Sequence, residues 1–181
     1  MAKSKTNGMT PDKINNFNVY SGAVSAKNKL IGVTSEITLP NWENMSETLS
    51  LAGTSGEIDS PTVGQYKSAE IEISFSNIAK STLQIAADDA TPLILKSAQE
   101  FINPTTRAKE IASRTITICG MTKGVDYGKL KKGGFGEPKV KKEVTYYKEE
   151  IDGEVVTEID KFNGKAVVAG KDMTKDILSY I

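Results

Sequence analysis

The chain lacks histidine altogether and has only one cysteine and one tryptophan in 181 residues. The missing imidazole excludes Ser-His-Asp and Cys-His catalysis and histidine-bound metals. A single thiol, Cys119, cannot close an intrachain disulfide or build a cysteine-rich zinc or iron-sulfur centre, and it fits a reducing compartment. Neither charge is in excess, because 23 Lys and Arg cancel 23 Asp and Glu, which removes the global positive field that drives non-specific nucleic-acid binding. Long apolar runs are also missing. Leu93-Ile94-Leu95 and Ala166-Val167-Val168-Ala169 fall far short of the ~20 residues that span a bilayer. The basic start, Met1 to Gly8, leads into Met9-Thr10-Pro11-Asp12-Lys13 and not into the apolar stretch of a secretion signal. The expectation is a soluble chain of one-domain size, with no membrane anchor, cofactor or metal.

What is present is strand-like alternation. Phe17-Asn18-Val19-Tyr20 and Leu30 to Leu39 are separated by turn residues at Ser21-Gly22 and Lys27-Asn28-Lys29. In the second run Val33, Ser35, Ile37 and Leu39 share one face, and Thr34, Glu36 and Thr38 the other. Lys67 to Asn77 alternates with the same period, setting Ala69, Ile71, Ile73 and Phe75 against Glu70, Glu72 and Ser74. Thr91 to Phe101 and Lys109 to Thr122 follow, joined through Asn103-Pro104-Thr105-Thr106. Val140 to Ile151 and Val155 to Phe162 form a hairpin across Asp152-Gly153. Ile78 to Asp88 has apolar residues near helical spacing and no Gly or Pro, so one short amphipathic helix is expected there.

The rest is irregular. Residues 1–13 read as an N-terminal arm, 124–138 as a loop, and 166–181 as a C-terminal tail, weakly helical from Thr174 to Tyr180. From Asn41 to Gln65 no period is kept, and an excursion of this length in a compact domain is commonly an interaction element. The whole reads as a single mostly β (α+β) domain, sandwich-like or barrel-like.

No set of side chains assembles a catalytic site. Glu70 and Glu72 share a strand face, but a glycosidase needs a cleft with stacking aromatics. Lys131-Lys132-Gly133-Gly134-Phe135-Gly136 lacks the Gly-Lys-Ser/Thr ending of a phosphate loop. Eight Lys against three acids between Lys123 and Lys148 leave a local excess of five positive charges, which suits either an acidic neighbour or a solvated loop. Cys119 follows a β-branched run and reads as a buried small hydrophobe.

Several stretches, in order, carry a resemblance. Phe17-Asn18-Val19-Tyr20, Glu36-Ile37-Thr38-Leu39-Pro40, the glycine-punctuated Gly53 to Gly64, the strand Ala69 to Phe75, and Val144-Thr145-Tyr146-Tyr147-Lys148 with Ile151-Asp152-Gly153 are similar to the major tail tube proteins of contractile-tailed phages and related contractile bacteriocins. The resemblance spans most of residues 14–165. It implies a structural protein, not an enzyme, whose copies form hexameric rings stacked into a hollow tube inside a sheath. In such tubes each subunit adds four strands to a continuous inner β-barrel with the helix outside. The implied partners are further copies of the chain, a sheath protein, and baseplate and terminator proteins. DNA would pass through without specific binding. The implied location is a virion tail or phage-tail-like particle made in the host cytoplasm. A type VI secretion-like tube and a monomeric β-sandwich binding module remain as alternatives.

Three residue sets follow. Thr34, Glu36, Thr38, Glu70, Glu72, Ser74, Thr115, Thr117, Glu143 and Thr145 are expected to line the lumen. Ile37, Leu39, Ile71, Ile73, Phe75, Ile116, Ile118, Val144 and Tyr146 are expected to face the subunit core. Repeated glutamates in such a lumen would repel phosphate. The excursion 41–65 resembles the family's inter-ring loop, with Trp42, Met45, Leu49, Leu51, Gly53, Gly56, Ile58, Pro61, Val63 and Gly64 as inter-ring or inter-subunit contacts, of which Trp42, Met45, Leu49 and Leu51 are anchors buried only on stacking.

Overall fold

The computed structural model describes Thr6 and residues 8–180. Its strands are β1 (Thr10–Ser21), β2 (Val33–Thr38), β3 (Asn44–Leu49), β4 (Ile58–Tyr66), β5 (Glu70–Phe75), β6 (Leu93–Ile102), β7 (Lys109–Asp126), β8 (Lys139–Ile151), β9 (Glu154–Asp160), β10 (Lys165–Val168) and β11 (Lys171–Asp172). Helix α1 (Lys80–Ala87) follows β5, and α2 (Lys175–Leu178) lies near the C-terminus. Nine strands make one antiparallel sheet, in the order β1-β6-β7-β8-β9-β10-β11 with β5 and then β2 branching from β8. The branch exists because β8 has two halves. Lys139 to Glu143 pairs with β5, whereas Tyr146 to Ile151 pairs with β9 on the same side. The sheet is open, and β3 and β4 form a separate two-stranded ribbon.

One apolar cluster holds these strands together. Val19, Ile71, Ile73, Phe75, Leu93, Leu95, Ile116, Ile118, Val140 and Val144 are buried in it, with Ile85 of α1 packed over them. Each fully buried Ile or Phe contributes about 1.5–3 kcal/mol. Thr82 also faces inward and accepts the Ala79 N–H at the start of α1, while Ile78 and Leu83 stay exposed.

A buried cation joins the end of α1 to the sheet. Lys142 occupies a core position between Val140 and Val144. Its ammonium donates to the Asp88 carbonyl and to Asp89 Oδ1, both at 2.9 Å. Asp89 Oδ1 also accepts the N–H and hydroxyl of Thr122. The hydrogen bond from Lys142, followed by those from Thr122, holds the Asp89 carboxyl below the usual aspartate range. Strand period puts Lys142 on the apolar face, and its pairing with the half-exposed Asp89 carboxylate keeps it there.

Five expectations are corrected. The N-terminal arm is strand from Thr10 onward, because β6 supplies a ladder reaching Ile102 and register shifts near Pro11 accommodate the missing N–H; the rest of that reading falls largely on residues 1–5 and 7, outside the described residues. The excursion 41–65 is largely an ordered hairpin, its strands paired from Leu49↔Ile58 to Asn44↔Tyr66. Its period was unreadable because every residue of β3 is exposed, so no buried face imposed an apolar alternation. The loop assigned to 124–138 starts later, since β7 runs to Asp126 by pairing with β8. Beside the one expected helix there are a 3-10 turn at Ala26–Asn28 and the short α2, the latter within the tail read as weakly helical. Finally, Tyr146 does not follow Val144 into the core. A bulge at Thr145 shifts the register from Gly120↔Val144 to Cys119↔Tyr146, so Tyr147 is the buried tyrosine.

Candidate functional site

Two surfaces gather the residues singled out by the sequence. The first is the polar face of the ribbon β2-β5-β8-β7. These strands correspond to Gly32 to Leu39, Ser68 to Asn77, Val140 to Glu150 and Lys109 to Thr122, the stretches that the resemblance implies for the inner barrel, and the fold makes them hydrogen-bonded neighbours in that order. On this face Thr38 lies opposite Glu72, Ser74 opposite Lys139, and Glu70 opposite Glu143. Thr34 and Glu36 stand at its β2 margin, where the Thr34 hydroxyl donates to the Glu36 carbonyl at 3.0 Å. Thr115 and Thr117 share the face farther along β7, opposite Glu150 and Lys148, where β6 and the second half of β8 are the neighbours. Thr145 sits in the bulge, nine-tenths buried, and donates to the Cys119 carbonyl at 3.2 Å.

The carboxylates of Glu70, Glu72 and Glu143 on this face are not free. Glu72 meets Lys139 at 2.7 Å and Lys141 at 3.1 Å. Glu70 meets Lys123 at 3.0 Å and Lys141 at 3.9 Å. Glu143 accepts Ser68 Oγ at 2.6 Å and meets Lys161 at 3.1 Å. A face expected to be negative is therefore a lattice of alternating charge. Antiparallel pairing sets Lys139 and Lys141 of β8 opposite Ser74 and Glu72 of β5, an arrangement beyond the reach of any reading taken strand by strand. The signal was present in the alternation Lys139-Val140-Lys141, which lay hidden within an overall basic stretch.

These pairs make a pH prediction. Hydrogen bonds from Lys139 and Lys141 hold the Glu72 carboxyl below the usual glutamate range. For Glu143, burial pushes upward, but the hydrogen bonds from Ser68 and Lys161 prevail and lower it. A lowered native value stabilises the fold above the unfolded glutamate value of ~4.3, and that contribution disappears as pH falls through the native value. Thermal melts should thus be flat near neutrality and fall below roughly pH 4.5. The gap between wild type and Glu72→Gln should close over the same acid range. A gap that persists in acid would contradict the assignment.

Cys119 lies on this face opposite Tyr146, and burial, with the Asp160 charge second, pushes its thiol up. The Tyr146 hydroxyl is pushed up to about 12 by burial and by Glu158, to which it donates at 3.2 Å. Neither group has the lowered value of a nucleophile. Among the described residues no cluster of three or more Cys, Asp and Glu side chains could hold a metal ion. No helix among the described residues is long and apolar enough to cross a membrane.

The second surface is the β3–β4 hairpin. Met45 and Leu49 share a face of β3, with Ile58 opposite Leu49, and all three are exposed. Leu51, Gly53 and Gly56 lie at the exposed tip, while Pro61 and Val63 are exposed along β4. The root is a different matter. Trp42 packs edge-on against Tyr147 and Tyr66, at 5.8 and 5.5 Å between ring centroids, with the Lys161 ammonium over its ring. Trp42 therefore belongs in part to the subunit's own core, whereas it was expected to be buried only on stacking. Gly64 lies against Thr174, and a Cβ there would collide with the threonine methyl. Both residues fix the hairpin to the body and leave its tip projecting.

With this geometry in place, the comparisons with known proteins become interpretable. A family profile described as phage tail tube protein FII matches residues 11–181. No curated protein matches the chain in sequence. Among solved structures, the fold is similar to the sheath/tube terminator of an extracellular contractile injection system, PVC, seen by cryo-EM in the extended state. The TM-score is 0.50 at 9% identity, over 77% of this chain and 96% of that one. At such identity the likeness concerns the fold alone.

Proposed function

We infer, from the premise that this chain belongs to the phage tail tube protein FII family and is therefore a structural component of a tail tube, that its copies close into hexameric rings stacked into a hollow tube. The observation that carries this reading is the pair of open edges on the β2-β5-β8-β7 ribbon. Among the described residues β2 pairs only with β5, and beyond Ile118 β7 pairs only with β8. Three antiparallel pairings separate these edges, so β2 and β7 run in opposite directions. Rotated copies can then join β2 of one to the 119–126 stretch of β7 in the next. Every new ladder is antiparallel, and closing the circle removes the exposed edges.

In that arrangement the polar face, with Glu70, Glu72 and Glu143, lines the bore. Its ammonium groups are engaged by carboxylates, so DNA phosphates find few free cations, and passage without binding follows from neutralisation more than from repulsion. The whole chain acts as one tail-tube domain, the hairpin reaching the adjacent ring. Partners are further copies, a sheath, a baseplate and a terminator, and the fold shared with a sheath/tube terminator is consistent with tube ends built on the same plan. The protein would reside in a virion tail or phage-tail-like particle.

Negative-stain microscopy of concentrated full-length protein should show hollow rods or annuli. A species that remains monomer-sized at all concentrations and salts would return the reading to a β-sandwich binding module.

A further inference from the structure

We propose that the tip of the β3–β4 hairpin docks on the 127–136 loop of a neighbouring copy, acidic and apolar side chains of the one meeting basic and apolar side chains of the other. The proposal rests on the tube reading and adds what the hairpin seizes. From Asn44 to Tyr66 the only charged residues are Glu47, Glu57 and Asp59, and there is no Lys or Arg. Asp59 accepts the Thr48 hydroxyl, but Glu47 and Glu57 have no ion pair among the described residues. Glu47 lies between Met45 and Leu49 on one strand face, so charge and apolar surface are presented together.

The loop after β7 is the complement. Tyr127 to Gly136 carries Lys129, Lys131 and Lys132 and no acid. Lys129 is taken by Glu137 at 2.6 Å, while the ammonium groups of Lys131 and Lys132 have no partner among the described residues. Leu130 is fully exposed and Phe135 is 69% exposed. The base of the loop is held: Lys129 N–H donates to the Gly136 carbonyl at 2.8 Å, and Gly136 N–H to the Ser76 carbonyl at 3.0 Å. This is a braced finger, with two unpaired cations beside two exposed apolar side chains. Exposed apolar groups rimmed by charge mark contact surfaces, and opposite charge sets the pairing and its register.

The occupant is a second copy. Each molecule carries both halves at different places, which gives a head-to-tail contact that propagates. The test is charge exchange in the full-length protein, read by negative-stain microscopy and melting temperature. Lys129→Glu with Lys131→Glu and Lys132→Glu should abolish rods, and so should Glu47→Lys with Glu57→Lys and Asp59→Lys. Both sets in one chain should restore rods. Zero-length carbodiimide coupling of wild-type rods, mixed from light and heavy isotope copies, should join Lys131 or Lys132 to Glu47 or Glu57 between copies. If either single reversal polymerises like wild type, the combined chain does not recover, or no such cross-link forms, the contact is wrong while the tube reading stands. If wild type itself never polymerises, the tube reading fails and the contact with it.

Discussion

Replacing Gly120 with alanine is expected to be among the most damaging single changes in this fold. Gly120 lies in β7 opposite Val144, beside the bulge at Thr145, where the two strands are pressed together. A Cβ at this position would collide with the Glu143 carbonyl oxygen and crowd the Val144 Cα, which are backbone atoms with no rotamer to yield. Accommodating it means separating β7 from β8 at the centre of the sheet, or losing the bulge that turns Tyr147 inward. Overpacking of this kind costs about 3 kcal/mol. For a chain of this length that corresponds to roughly 6–12 °C in melting temperature. Differential scanning calorimetry of the purified variant checks it, and a melting temperature within about 2 °C of wild type would show that the strands part easily. The change would also disturb Glu143, so assembly should be lost along with stability.

The second large effect separates assembly from folding. Met45→Ser, Leu49→Ser and Ile58→Ser together should leave the melting temperature almost unchanged, because all three side chains are exposed and substitutions there stay within about 0.5 kcal/mol each. Rod formation should nevertheless disappear. In a ring every copy carries the same defect, so the loss at one hairpin is repeated at each contact around and along the tube. The measurement is rod length and yield by electron microscopy beside calorimetry on the same sample. Normal rods with a normal melt would remove the hairpin from the assembly surface. The same triple in Trp42, Tyr66 and Tyr147 would not discriminate, because those rings pack on one another within the subunit.

The two predictions draw on opposite kinds of legibility. Strands such as β5 and β6 could be read from their alternation because one face is buried, and the expected faces of Glu70, Glu72 and Ser74 against Ile71, Ile73 and Phe75 agree with the burial. The Asp152-Gly153 turn was equally plain, since both residues sit at positive φ in the tight turn between β8 and β9. The hairpin β3–β4 was not, because a ribbon exposed on both faces leaves no apolar period. Nor was the bulge at Thr145, which inverts the alternation within one strand, so that Tyr146 and Tyr147 exchange roles.

Alone, the sequence determined that histidine-dependent and multi-cysteine chemistry is excluded, the mostly β composition, and the two-faced character of each long strand, because these depend on residue type and local period. It also placed the four ribbon strands and the irregular excursion along the chain. Only the tertiary structure decided which strands are neighbours, and with that the neutralisation of Glu70, Glu72 and Glu143 by Lys123, Lys139, Lys141 and Lys161. It likewise decided the burial of Lys142 against Asp89 and the collision that reserves position 120 for glycine. Charge pairing and close approach across a sheet are set by register between segments far apart in the chain, and register follows from the bulges, the turns and the shared core together.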